Sequence, residues 1–199
     1  MGEPLSEAGL DTIFRTARTY NGYTDAPVTE ADIRAIYNLL KMGPTSANQH
    51  PARFVWLLSQ EGKNKLADCA TGTNPDKIRK APAAVVIGMD WNFHEHLPDL
   101  FPHTDAKSWF EGEGALEKRK EHAFRNSSLQ GAYFIIAARA LGFDTGPMSG
   151  FDNAKVDEAF FPGQPHVKSN FISTLGHGDP STIFDRSPRP EFERFNRVG

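Results

Sequence analysis

Leu129, Ala132, Tyr133, Ile136, Ala137, Ala140 and Leu141 repeat at helical spacing, and Gly142 follows where a left-handed helix end belongs. The apolar face they make is too wide for a single packing stripe, so the helix has to be surrounded. This predicts a central buried helix. A chain of 199 residues, 39% of them hydrophobic, is long enough to build a core around it. No repeat, linker or low-complexity segment interrupts the chain, so one domain over 1–199 is expected.

The other elements follow from shorter patterns. Leu10, Ile13, Phe14 and Ala17 share one face of a first helix. Thr29 offers a second helix its cap, Asp32 sits three residues on, and Ile33, Ile36, Tyr37 and Leu40 continue it to Gly43-Pro44. Phe54–Leu58 and Ala83–Gly88 are short unbroken apolar runs, which predict buried strands, and Asn170–Gly176 predicts a third. A helix is expected over about 61–70, followed by a turn cluster rich in Gly, Asn and Pro. Residues 146–150 read as a loop, Asp152 caps a short helix through Phe160, and the tail beyond Asp179 should run extended. Strands separated by helices predict an α/β or α+β sandwich. Between 91 and 124, Trp91, Phe93, Phe101, Trp109, Phe110 and Phe124 accompany Pro98 and Pro102 without a period. Such a stretch is either a surface excursion pinned by its aromatics or a lid over a site.

Several functions are disfavoured at once. A net charge of −3 offers no field to hold a nucleic-acid backbone, so no nucleic-acid partner is expected. The single cysteine, Cys69, excludes an internal disulfide and reads as a small packed hydrophobe. No basic-then-apolar leader and no apolar run of membrane-spanning length is present, so a cytoplasmic location without membrane contact is expected. His94-Glu95-His96, with His103 and Asp105 nearby, invites a metal reading. The histidines are two apart rather than the four that share a helix face, and no metal is expected.

No nucleophile elbow, Walker loop or dinucleotide fingerprint is present. What the chain offers is small, glycine-flanked loops, 43–48 and 146–150, whose backbone can approach a planar ligand or a phosphate closely. Arg18 and Arg189, near either end, are candidate phosphate partners.

Four blocks along the chain carry a resemblance. Ala17-Arg18-Thr19-Tyr20-Asn21-Gly22-Tyr23 resembles the N-terminal phosphate signature of nitroreductase-like flavoproteins. Gly43-Pro44-Thr45-Ser46-Ala47-Asn48-Gln49-His50-Pro51-Ala52 is similar to that family's Pro-Ser-Ala-x-Asn-x-Gln-Pro-Trp motif. Leu141-Gly142-Phe143-Asp144-Thr145-Gly146-Pro147-Met148-Ser149-Gly150 resembles its helix end and flavin-edge loop, and Ser187-Pro188-Arg189 falls where a second basic clamp lies. The resemblance implies an α+β sandwich of helices around a small mixed sheet, homodimeric, with FMN at the interface and an extended C-terminal segment embracing the partner. It implies that Arg18, Thr19 and Arg189 hold the phosphate, with Asn21 in the same block. Pro44, Thr45, Ser46 and Asn48 would line the ring and ribityl chain, and Pro147, Ser149 and Gly150 would flank flavin N5. No side chain is then a catalytic residue in its own right, because hydride from NADPH or NADH passes through N5 to a small substrate.

Within the family, Phe124-Arg125-Asn126-Ser127-Ser128, Leu100-Phe101-Pro102-His103 and Lys168-Ser169-Asn170 look most like the malonic semialdehyde reductase branch of pyrimidine degradation (the Rut pathway). Arg125 and Asn126 are its candidate holders of a substrate carboxylate. The chain also departs from the family. Asn21 stands where relatives carry a second cation, which Arg53 is a candidate to replace, and His50 and Ala52 stand for the usual Gln and Trp. A generic nitroaromatic or quinone reductase is the alternative.

Overall fold

Four strands, β1 (Ala52–Leu57), β2 (Ala83–Asp90), β3 (Asp144–Met148) and β4 (Val167–Gly176), form one sheet in the order β1-β2-β4-β3. The computed structural model describes residues 2–199. Around the sheet lie α1 (Glu7–Leu10), α2 (Glu30–Leu40), α3 (Gln60–Ala67), α4 (Asn74–Lys80), α5 (Leu97–Leu100), α6 (Ala115–Ala140), α7 (Asn153–Phe160) and α8 (Phe192–Phe195). The expected α+β sandwich is present. Its sheet is antiparallel in all three ladders rather than mixed. The parallel feature among the described residues is an isolated bridge from Thr19 to Thr145 of β3.

β2 is the spine of the fold, and alternation sends its side chains to both faces. Val85 and Ile87 pack with Leu175 of β4 against Ile36 and Leu40 of α2 and Phe134 and Ala138 of α6. Ala84 and Val86 pack with Ile172 against Leu66 of α3, Ile78 of α4 and Val156 of α7. The α2 capping box is complete: Asp32 N donates to Thr29 Oγ1 at 3.2 Å and Thr29 N donates to Asp32 Oδ2 at 2.8 Å.

Several expected boundaries move. The central helix begins at Ala115, well before the apolar repeat that opens at Leu129. Its first half buries Ala115, Ala123, Asn126 and Ser127, small or polar residues that leave no apolar stripe to read. The expected loop at 146–150 is strand as far as Met148. Pro147 is tolerated because β3 is an edge strand, hydrogen-bonded on one side only by β4. Part of the expected turn cluster after residue 70 is α4, where Pro75 sits in the first turn and its missing N–H costs nothing. The first helix splits into α1 and a π turn over Asp11–Arg15 that buries none of its residues. In the 91–124 stretch, Phe93, Leu97, Ala106 and Phe110 form a cluster with Ala123 of α6. Trp109 and Phe124 remain exposed. No helix among the described residues is long and apolar enough to cross a membrane.

Candidate functional site

The two ends of the chain meet. Arg18, Thr19 and Asn21 line a cavity of about 340 Å³ together with Arg139, Asp185, Arg186, Ser187 and Arg189. The walls knit through backbone carbonyls. Arg18 donates to Phe184 O, Arg186 to Ala17 O at 3.0 Å, and Asn21 Nδ2 to Thr182 O at 3.2 Å. Arg189 donates to Ser187 O at 2.9 Å and Arg139 to Ile13 O at 3.0 Å. Arginines 18, 139, 186 and 189 thus face one cavity and spend their donors on carbonyls, while each ion pair among the described residues joins other side chains. The Nε of Arg139 is buried with no partner. Guanidinium groups in such number, with Asp185 as the acidic residue in the lining, fit a phosphate monoester, which takes several charge-assisted bonds at once.

The 43–50 loop is held in strain. Ala47, Asn48 and His50 adopt φ of 47°, 51° and 42°, a region that non-glycine residues rarely occupy and that surrounding structure must enforce. One stripe of α6, residues 122, 126 and 130, supplies the enforcement. Ser46 N donates to Asn126 Oδ1 at 2.8 Å, and Gln49 Nε2 faces His122 Nδ1 at 3.1 Å. Ala52 N donates to Gln130 Oε1 at 2.8 Å, which turns the Gln130 amide nitrogen to His50 Nδ1 at 3.1 Å. His50 Nδ1 therefore accepts, and Nε2 carries the proton toward Asn48 Oδ1 at 2.7 Å. Burial holds the His50 and His122 imidazoles below the ordinary histidine range, His122 with help from the Lys118 and Arg125 charges. Pro44, Ser46 and Asn48 keep their outer faces exposed.

The third block continues along the outer side of β3. Tyr20 N donates to Thr145 O at 3.2 Å, so Thr19 leads from the arginine cavity onto this strand. Gly146 permits the approach, since a Cβ there would sit 2.8 Å from the Tyr20 carbonyl. Beyond Pro147 and Ser149, the Gly150 carbonyl accepts from Thr71 N and Asn74 Nδ2, both at 3.0 Å. Within one chain, then, blocks one, three and four share the β3 edge, whereas Pro44, Thr45, Ser46 and Asn48 lead into β1 at the opposite edge. Three strand spacings, about 14 Å, separate the two edges.

The candidates for binding a substrate carboxylate behave differently from expectation. Asn126 is buried in mid-helix with both ends of its amide used, Nδ2 on His122 O at 2.9 Å and Oδ1 on Ser46, so it holds the loop. Arg125 is exposed and paired with Glu121 at 2.5 Å. Within one chain Arg53 lies away from Asn21 and the arginine cavity, and it pairs with buried Asp90 at 2.5 Å. His94 is buried against Arg119, Nε2 to Nη1 at 2.6 Å, an arrangement in which a neighbouring cation opposes any metal. A separate cavity of about 630 Å³ beside Asn48 is lined by Lys41, His50, Arg53 and His96 among others, with no acidic residue in its lining. Sequence reasoning missed Arg139 and Arg186. Neither lies in a block with a motif, and convergence of distant segments leaves no local spacing to read.

Helices on both faces of a small antiparallel sheet, with an anion cradle at one edge and a strained polar loop at the other, describe a sandwich-fold binder of a phosphorylated planar ligand. The nitroreductase family profile matches residues 14–168, and the chain belongs to the nitroreductase family. It is 56% identical over 198 residues, covering all of both chains, to a Stenotrophomonas maltophilia protein named NADH dehydrogenase/NAD(P)H nitroreductase. The crystal structure of the Bacillus subtilis nitroreductase ydfN superposes with a TM-score of 0.87 at 22% identity, over 98% of this chain and 100% of that one. A nitroreductase from Exiguobacterium sibiricum, solved in complex with FMN, gives 0.82 at 18% identity over 100% of each chain.

Proposed function

We propose that the protein is an FMN-dependent NAD(P)H oxidoreductase, active as a homodimer with the flavin between the two chains, and that it reduces malonic semialdehyde to 3-hydroxypropanoate. The observation that carries the flavin reading is the arginine cavity, where four guanidinium groups converge and none forms an ion pair among the described residues. Bound there, FMN supplies the relay of hydride between a nicotinamide donor and the substrate. Arg18, Arg186 and Arg189 hold the phosphate by charge-assisted bonds, and Thr19 leads the chain past it. Pro147, Ser149 and Gly150 provide the wall along β3. Pro44, Thr45, Ser46 and Asn48, at the far edge of the sheet, provide the second wall from the partner copy. That division supports the dimer, since within one chain the two walls lie at opposite edges of the sheet. So does the tail, where Phe184 (81%), Phe195 (70%) and Val198 (90%) stand exposed while the outer edge of β1 is unpaired.

A carboxylate-bearing aldehyde fits the cavity lined by Lys41, His50, Arg53 and His96, which carries positive charge next to the Asn48 loop. The test is the visible spectrum of FMN-reconstituted protein under anaerobic conditions. Addition of NADPH or NADH should bleach the oxidised-flavin bands, and malonic semialdehyde should restore them. Bands that bleach and return only with a quinone or nitroaromatic would replace the substrate and keep the enzyme. A protein that holds no flavin would end the reading.

A further inference from the structure

Position 21 lacks the second cation that the resemblance leads one to expect, yet the cavity is not short of charge. We propose that Arg139, from the last turn of α6, replaces that cation and binds the phosphate group of the flavin from the helix side. This inference rests on the FMN reading and names a residue for it. Arg139 lines the same cavity as Arg18, Asn21, Arg186 and Arg189. Asn21 cannot contribute a charge, and its amide is turned away to Thr182 O at 3.2 Å. The guanidinium of Arg139 donates through Nη1 to Ile13 O, while its Nε is buried without any partner among the described residues. An unmatched buried donor on a charged group costs more than the bond it forgoes, and a ligand that met it would remove that cost. Burial pushes the guanidinium down, Asp144 opposes this and Arg186 adds to it, and a phosphate dianion alongside would favour the charged form.

The competing role is purely structural, with Arg139 tying the helix end to the Ile13 carbonyl and complementing the helix dipole. The two roles differ in what they do to a flavin without phosphate. Apo-protein is titrated with FMN and with riboflavin, following flavin fluorescence, and the ratio of the two dissociation constants is taken. Wild type should prefer FMN strongly. Arg139→Met should weaken FMN binding by about tenfold or more, the scale of one lost charge-assisted bond, while riboflavin binding stays unchanged. Asn21→Arg added to Arg139→Met should recover most of the FMN preference, because it returns the cation to the other wall. Should Arg139→Met fail to fold, Arg139→Gln keeps a donor for Ile13 O and still removes the charge, and the same loss is expected.

Equal weakening of FMN and riboflavin, or an unchanged ratio, would overturn the proposal and leave Arg139 a structural residue. A wild type that binds FMN no better than riboflavin fails differently: it removes the phosphate reading of the cavity before Arg139 is in question.

Discussion

At the scale of single residues, the clearest dependence is on histidine protonation. His50 and His122 each accept a hydrogen bond at Nδ1 from an amide nitrogen, Gln130 and Gln49 respectively. Protonation turns both ring nitrogens into donors and sets two donors face to face. Buried His94 shares the depressed titration, through burial first and the Arg119 charge second. Above the ordinary value of 6.5 all three are neutral folded or unfolded and contribute no pH dependence. Below it the unfolded chain takes up protons that the folded chain resists, so stability falls as pH drops from there through the lower folded values. Melting temperatures between pH 7.5 and 5 should show this decline, and His122→Gln should make it shallower. A profile unchanged by that substitution would remove His122 from the effect. None of this was visible in the sequence, where His50 read only as a departure from glutamine and Asn126 as a candidate for substrate. Which side chain meets the 43–50 loop depends on how α6 lies across it.

At the scale of elements, the packing of α6 on β4 turns on Gly131, where an added Cβ would overlap the Phe171 ring. Gly131→Val should therefore cost stability although valine suits a helix better than glycine. The propensity gain is about 0.5 kcal/mol, whereas overpacking costs about 1–3 kcal/mol. For a chain of this size that is a drop of about 2–10 °C in melting temperature, measured by circular dichroism. No change would mean that α6 slides without consequence. Elements with strong apolar periodicity or capping were legible: α2 through Thr29 and Asp32, β2 through its unbroken aliphatic run, the second half of α6 through its wide face. Those that differed were set by tertiary context. The first half of α6 is helical because Ala123, Asn126 and Ser127 meet neighbours, not because they form an apolar stripe, and Pro147 enters a strand because that strand lies at an edge.

At the scale of the molecule, the four motif blocks were legible as a set of residues and illegible as a place. Sequence order could not say that Arg18 and Arg189 would share a cavity with Arg139 and Arg186, or that Ser46 and Ser149 would stand at opposite edges of the sheet. The tail gives the proposed assembly its most direct test. Truncation after Pro190 keeps Arg186 and Arg189 in the phosphate cavity and removes Phe192, Phe195 and Val198, all exposed in the single chain. Light scattering after gel filtration should find monomers, and flavin affinity should fall although the arginines are intact. A truncated chain that stays dimeric would take the tail out of the interface.

The sheet has two margins, and they are not alike. Along β3, Tyr20 already occupies the Thr145 carbonyl, and Pro147 has no N–H to offer. Along β1 the backbone groups of the outer side are free of any strand among the described residues. The sheet thus has a valence of one. A sheet with two open margins can recruit neighbours without limit and grow into fibres; this one can accept a single further strand and then has nothing left to pair. Two copies that paired through β1 would leave only the two β3 margins outside, so strand addition in that mode would end at two.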